Sequence, residues 1–118
     1  MQALKFKIMS AIKNKVQLIG NLGNDPEIIN LESGKRLAKF TIATNESYKN
    51  NKGEKITDTQ WHNVIAWGKT AEIIEKYVTK GKEVAIEGKL TSRSYETKEG
   101  EKRYITEVVC NELLLLGK

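Results

Sequence analysis

The chain has 118 residues, of which 39% are hydrophobic, 30% charged and 7% aromatic, so it fits one domain and excludes two of ordinary size. One cysteine, Cys110, and one histidine, His62, leave no internal disulfide and no Cys/His zinc cluster. The 20 Lys and Arg against 15 Asp and Glu give +5, which permits a polyanionic partner without demonstrating one, and no apolar run approaches the ~18 residues of a membrane span.

Residues 1–13 carry Lys5, Lys7 and Lys13 and no acid, so +3 of the net charge lies in an N-terminal extension. Lys5 and Lys7 interrupt any signal-peptide core, and the segment is expected to be a poorly ordered arm on a cytoplasmic protein. The body, residues 14–118, is expected to be a single domain with 17 basic and 15 acidic side chains. Within it, Asn14 to Leu22 is a Val/Leu/Ile-rich strand that ends in the turn formers Gly23, Asn24, Asp25 and Pro26. Glu27 to Leu31 is a short strand. Arg36 to Asn45 alternates, with Ala38, Phe40 and Ile42 on one face and Lys39 and Thr41 on the other. The polar stretch Glu46 to Lys55 predicts an exposed loop with a hairpin tip at Asn50–Gly53, and Thr57 to Trp67 is the next strand. Ala71, Ile74, Tyr77 and Val78 then recur at helical spacing over Thr70 to Val78, with Glu72 in the first turn and Gly81 as the stop. Strands resume over Glu83 to Leu90 and Arg93 to Thr97, return from Arg103 to Cys110, and close with Asn111 to Leu116. Five strands with one helix after the third describe an all-β, five-stranded Greek-key barrel of the OB type.

In the strand Thr59 to Trp67, alternation puts Trp61, Asn63, Ile65 and Trp67 on one side. Two indoles with an amide between them make an unusual core, because each buried indole N–H needs a partner. The pattern alone leaves two readings level: a face on which bases stack, or a pair of rings packed against the helix or another subunit. Tyr48 beside Lys49, and Tyr95 two residues after Arg93, add aromatics next to cations. Such interleaving supplies π-faces for bases and positive charge for phosphates. Lys49, Lys52 and Lys55 on the first hairpin and Lys98, Lys102 and Arg103 on the second strengthen the binding reading. Gly68-Lys69-Thr70 imitates the end of a phosphate-binding loop, but Asn63 stands where that motif needs glycine. Asn45-Glu46-Ser47 is a glycosylation sequon without a secretion signal. His62 faces away from Trp61 with no second ligand nearby. No nucleophile–base pair, metal set or cofactor motif is present, so a non-enzyme without a cofactor is expected.

The segment Asn14-Lys15-Val16-Gln17-Leu18-Ile19-Gly20-Asn21-Leu22-Gly23-Asn24-Asp25-Pro26-Glu27 resembles the opening of bacterial single-stranded DNA-binding proteins. Trp61-His62-Asn63-Val64, Trp67-Gly68-Lys69, Tyr77-Val78-Thr79-Lys80-Gly81, Ile86-Glu87-Gly88 and Arg103-Tyr104-Ile105-Thr106-Glu107-Val108 match in order and spacing, so the resemblance covers nearly all of 14–117. It implies an OB-fold subunit that assembles as a homotetramer and wraps single-stranded DNA in replication, recombination and repair, in the cytoplasm and on the nucleoid. By position it implies base stacking on Tyr48, Trp61, Trp67 and Tyr95. It further implies phosphate contacts from Lys15, Lys49, Lys69, Lys80, Arg93 and Arg103, and a subunit contact from His62. Asn63, Thr91 and Ser94 replace cations frequent in relatives, which implies a salt dependence flatter by roughly 0.7 log unit per lost contact. Family members usually continue into a flexible linker and an acidic tip. The resemblance ties replication and repair proteins, as partners, to such a tail, and this chain ends at Gly117-Lys118. The rival reading, an OB module that docks proteins, does not account for the four aligned aromatic positions.

Overall fold

The computed structural model describes residues 13–117, so the expected arm lies outside the described residues except for Lys13. The described chain runs β1 (Val16–Leu22), β2 (Glu27–Asn30), β3 (Arg36–Lys49), β4 (Lys55–Trp67), α1 (Gly68–Tyr77), β5 (Glu83–Glu96) and β6 (Lys102–Leu115). Antiparallel pairing joins β1 to β5, β5 to β6, and β3 to β4, while β6 runs parallel to β4 at Val64–Val108 and Ile65–Val109. Asn21 and Leu22 at the end of β1 pair with Ala43 and Ile42 of β3, and this last contact closes the ring. The result is the expected five-stranded barrel. β2 is a four-residue addition to the edge of β3, and α1 follows the third long strand.

Alternation fills the barrel. Ala38, Phe40 and Ile42 of β3, Val64 and Ala66 of β4, Val84 and Ile86 of β5, and Val108 and Cys110 of β6 point inward and are buried. Ala71, Ile74 and Val78 of the helix region complete this core, at spacings of three and four residues. Tyr77, expected on that stripe, is exposed instead. The helix also starts two residues early, directly after Trp67, so Glu72 falls in its second turn. It ends at Tyr77, where the Val78 N–H donates to Ile74 O, and not at Gly81. Gly81 lies in the following turn, and its N–H donates to Leu22 O at 2.9 Å.

The polar stretch expected as a loop is mostly strand. β3 runs on to Lys49 and β4 begins at Lys55, which leaves a tip of five residues. This arm leaves the barrel with both faces in water, so it needs no apolar alternation and shows none. Polar cross-strand bonds hold it instead: Thr59 Oγ1 donates to Asn45 Oδ1 at 2.6 Å, and Ser47 and Thr57 hydroxyls meet at 3.3 Å. Asn50 Oδ1 accepts from the N–H groups of Lys52 and Glu54 and shapes the tip. β5 and β6 likewise continue as a second arm. The two strands expected for 103–116 form one, irregular where Gly88 faces Cys110 and Glu87 faces Glu112. There the backbone of Gly88 lies so close to Val109 O that any Cβ would collide.

Candidate nucleic-acid interface

Because Val64 and Ala66 point inward, Trp61, Asn63, Ile65 and Trp67 face out of the barrel. Trp61 is 62% exposed and Trp67 42%, so neither indole packs into the core, and the burial reading fails within the subunit. Trp67 sits where β4 becomes α1, with extended backbone angles, and forms the N-cap position of the helix. Lys69, in the first turn of that helix, therefore shares the strand-to-helix corner with it.

Trp61 rests on a shaped bed. A Cβ at Gly23 would strike its six-membered ring, so the ring lies against the bare backbone of the β1–β2 turn. Asn24 fixes that turn: its Oδ1 accepts from the Thr41 N–H at 3.0 Å and from Thr41 Oγ1 at 2.9 Å. The next residue, Asp25, accepts the Lys80 N–H at 2.8 Å, and Asn21 Nδ2 donates to Gly81 O. The turn carrying Lys80 is thereby held against the turn beneath Trp61. None of Gly23, Asn24 and Thr41 stood out in the sequence, where Gly23 and Asn24 pass as ordinary turn formers.

The outward face continues across the barrel. Parallel neighbours share a face, so Ile65 stands beside Val109; alternation then places Glu107, Ile105 and Arg103 outward as well. Their β5 partners are Thr91 for Glu107, Arg93 for Ile105 and Tyr95 for Arg103. A groove of about 260 Å³ lies between the Trp strand and β6, with Lys39, Thr41, Asn63, Ile65, Ile105 and Glu107 in its walls. Trp61, Trp67, Arg93, Tyr95 and Arg103 thus belong to one surface.

Other expected site residues are not brought together with these. Tyr48 is exposed, but it pairs with Ile56 and alternates with Ser47 and Lys49, so it stands on the reverse face of the first arm from Trp61. Lys49 stands on the Trp61 face. Lys15 precedes β1 and pairs with Glu87 at 3.5 Å, on the β1–β5 side of the barrel. The Gln17 amide, and then Lys15, hold the Glu87 carboxyl below its usual range. His62 points inward at the barrel rim, half-buried, and its Nε2 lies 3.0 Å from Thr44 Oγ1.

The cations differ in how they are held. Lys49, Lys69 and Lys80 form no ion pair among the described residues. Arg103 pairs with Glu101 at 3.1 Å, both groups well exposed. Arg93 donates from Nε to Glu107 Oε1 at 2.9 Å and from Nη2 to Oε2 at 3.3 Å. Glu107 is 2% exposed, and it was not among the expected site residues. Its position between outward-facing Ile105 and Val109 is the one sequence signal that could have singled it out. Tyr104, also exposed, carries the Lys102 ammonium 5.8 Å from its ring centre, on the face of the second arm opposite Tyr95. Among the described residues no group of three His, Cys, Asp or Glu could hold a metal ion, and no helix is long and apolar enough to cross a membrane.

A five-stranded closed barrel of this connectivity, with outward aromatics and cations on one surface, defines an oligonucleotide-binding fold. The single-strand binding protein family model matches residues 13–116, and the chain belongs to that family. It is 48% identical over 105 residues to Single-stranded DNA-binding protein 1 of Chlorobaculum tepidum, covering 88% of this chain and 65% of that one. Single-stranded DNA-binding protein 1 of Xylella fastidiosa is 42% identical over 106 residues, covering 89% of this chain and 78% of that one. Among solved structures, a Plasmodium falciparum SSB complex with ssDNA superposes with a TM-score of 0.81 at 33% identity, covering 88% of this chain and 95% of that chain. The chain thus spans just under two-thirds of the length of the Chlorobaculum relative.

Proposed function

We propose that this chain is a non-catalytic, sequence-tolerant binder of single-stranded DNA that protects exposed strands during replication, recombination and repair. The observation that carries the proposal is the outward display of Trp61 and Trp67 on the surface that also holds Arg93, Tyr95 and Arg103. Exposed indoles are costly in a surface that does nothing, and they are what unpaired bases stack on. Family membership and the likeness to an SSB complex with ssDNA support the same reading. In this proposal Trp61, Trp67 and Tyr95 stack bases along one face. Tyr48 stacks a base on the reverse side of the first arm, so the strand wraps the arm instead of crossing a flat plate. Lys49, Lys69, Lys80 and Arg103 contact phosphates near the rings, and Lys15 does so where the strand reaches the β1 side.

The chain works as a homotetramer in this reading. The outer side of β1, β5 and β6 carries exposed Ile19 and Leu114 beside a shallow groove of about 330 Å³, a surface that a second subunit would cover. His62 acts as a subunit contact at the barrel rim, replication and repair proteins are partners only if a C-terminal tail follows this domain in the native gene product, and the setting is the cytoplasm and nucleoid.

The test is a titration of intrinsic Trp fluorescence with oligo-dT at two salt concentrations. Quenching that weakens at higher salt is expected, and the absence of both effects overturns the proposal. Replacing Trp61 or Trp67 with Ala should weaken binding by about 1–3 kcal/mol per lost stack. A light-scattering mass of the free protein checks the tetramer.

A further inference from the structure

We propose that Glu107 is a positioning residue that neutralises Arg93 and turns its guanidinium into a flat, hydrogen-bonding platform for a base instead of a phosphate contact. The inference rests on the proposed binding of single-stranded DNA to this surface and specifies what one side chain does there.

The geometry separates Arg93 from the other cations. Its Nε and Nη2 reach the two oxygens of one carboxylate, at 2.9 and 3.3 Å, so the plane of the guanidinium is held in a fork. The backbone supports the acid: Thr91 Oγ1 donates to Glu107 O across the strands at 3.3 Å. Glu107 is almost fully buried, whereas the Arg93 side chain is half-exposed. Among the described residues that carboxylate has no other cation. If Arg93 turned to a phosphate, Glu107 would be left as an unpaired buried charge, which is strongly unfavourable. The pair therefore persists when DNA arrives. The hydrogen bond to Glu107, and then the charge of that carboxylate, also raise the Arg93 pKa above its ordinary value.

A persistent pair has no net charge, and a group without net charge releases no condensed counterion when a strand binds. What Arg93 still presents is its planar face and the N–H groups that Glu107 does not take. It presents them one alternation step from Tyr95 on the outward face. That is a surface for a base. The Arg103–Glu101 pair makes the contrast: both partners are exposed, so it opens at little cost, and Arg103 remains available to a phosphate.

The test uses the full chain and oligo-dT, with affinity measured by Trp quenching across a salt series. Arg93→Gln combined with Glu107→Gln keeps a planar amide and removes both charges of the pair, Arg93→Lys keeps the charge but no plane, and Glu107→Gln alone frees the guanidinium. For the double variant Arg93→Gln with Glu107→Gln, which removes both charges and leaves no carboxylate unpaired, the slope of log K against log salt is expected to equal that of the wild type. Arg93→Lys should bind at least ~5-fold more weakly at every salt with the same slope, since stacking is lost. Glu107→Gln should steepen the slope by about 0.7, the increment of one new phosphate contact on a single strand. A flatter slope in the double variant, with Arg93→Lys indistinguishable from wild type, would show Arg93 to be a phosphate contact and overturn the inference. An unchanged slope in Glu107→Gln also overturns it. Should the Glu107→Gln variants not fold, Arg93→Lys, which keeps a cation over Glu107, decides the matter: affinity equal to the wild type's at every salt overturns the inference. Failure of the wild type to quench at any salt would instead overturn the proposed function itself.

Discussion

The contact between Gly23 and Trp61 allows binding to be perturbed without touching a DNA-binding side chain. In Gly23→Ala the new Cβ would lie 2.8 Å from Thr41 Oγ1 and 3.0 Å from Trp61 Cη2, with another ring carbon closer still. The backbone there has no positive φ, so alanine itself is not strained. One of the two neighbours has to move. Thr41 is held through its N–H and its hydroxyl by Asn24, while the indole projects into water, so the ring yields. Ordinary carbon contacts need about 3.5–4.0 Å, which asks the ring to shift by roughly 1–2 Å or tilt off its bed. The folded state is little affected, because the ring was already exposed and Gly→Ala reduces the freedom of the unfolded chain by about 0.4–1 kcal/mol. Binding is affected more. The ceiling is the loss of a whole stack, about 1–3 kcal/mol, or roughly 5- to 150-fold in Kd. The assay is oligo-dT binding followed by Trp fluorescence, with anisotropy of a labelled strand as an independent readout, alongside a urea melt. Trp61→Ala and the double variant complete a cycle: if Gly23 acts through the ring, the double variant is no weaker than Trp61→Ala alone. Wild-type affinity in folded Gly23→Ala, or strictly additive losses in the cycle, would refute this account of the bed.

Two predictions concern stability. Burial pushes the Cys110 thiol up to about 11 from an ordinary 9.0, so its contribution is fully present below about pH 9 and is lost as pH rises toward 11. Wild type should lose about 2 kcal/mol relative to Cys110→Val between pH 8 and 11 in urea melts, and Cys110 should resist a thiol reagent at pH 8 until the chain is unfolded. Ile74→Ala empties a fully buried site where the helix meets the barrel and should cost about 2–5 kcal/mol of stability. Oligo-dT affinity of the remaining folded protein should stay within about twofold of wild type, because Ile74 points away from the Trp surface.

Where one face of an element is buried, its character was legible residue by residue: Ala38, Phe40 and Ile42, then Val64 and Ala66, fall inward where alternation puts them. Outward placement of Trp61 and Trp67 follows from the same rule, but the rule alone could not say whether a second layer covered them. The arms were illegible for the opposite reason. Asn45, Ser47, Thr57 and Thr59 form a ladder with water on both sides, so no hydrophobic period marks it. Likewise Tyr77 matches the helical period and is still exposed, because the barrel mouth needs only Ala71, Ile74 and Val78 to be filled. Glu107 is the deepest omission. A glutamate in an alternating strand is ordinarily solvated, and only the pairing of β5 with β6 brings Arg93 over it.

That pairing also changes what the charge of +5 means. Three of its positive charges precede residue 14, and of the six cations expected from the sequence to meet phosphate, Lys15, Arg93 and Arg103 are already matched by Glu87, Glu107 and Glu101. Solvated pairs such as Lys15–Glu87 and Arg103–Glu101 exchange carboxylate for phosphate at small cost, while the buried acid under Arg93 does not. The surface is therefore graded from free lysines at the strand-to-helix corner and in the turn held against the one beneath Trp61, through exchangeable pairs, to one fixed pair. In the proposed binding mode only the first two kinds add to salt dependence. Rings and the fixed guanidinium act at any ionic strength, so affinity should fall with salt less steeply than a count of lysines and arginines implies.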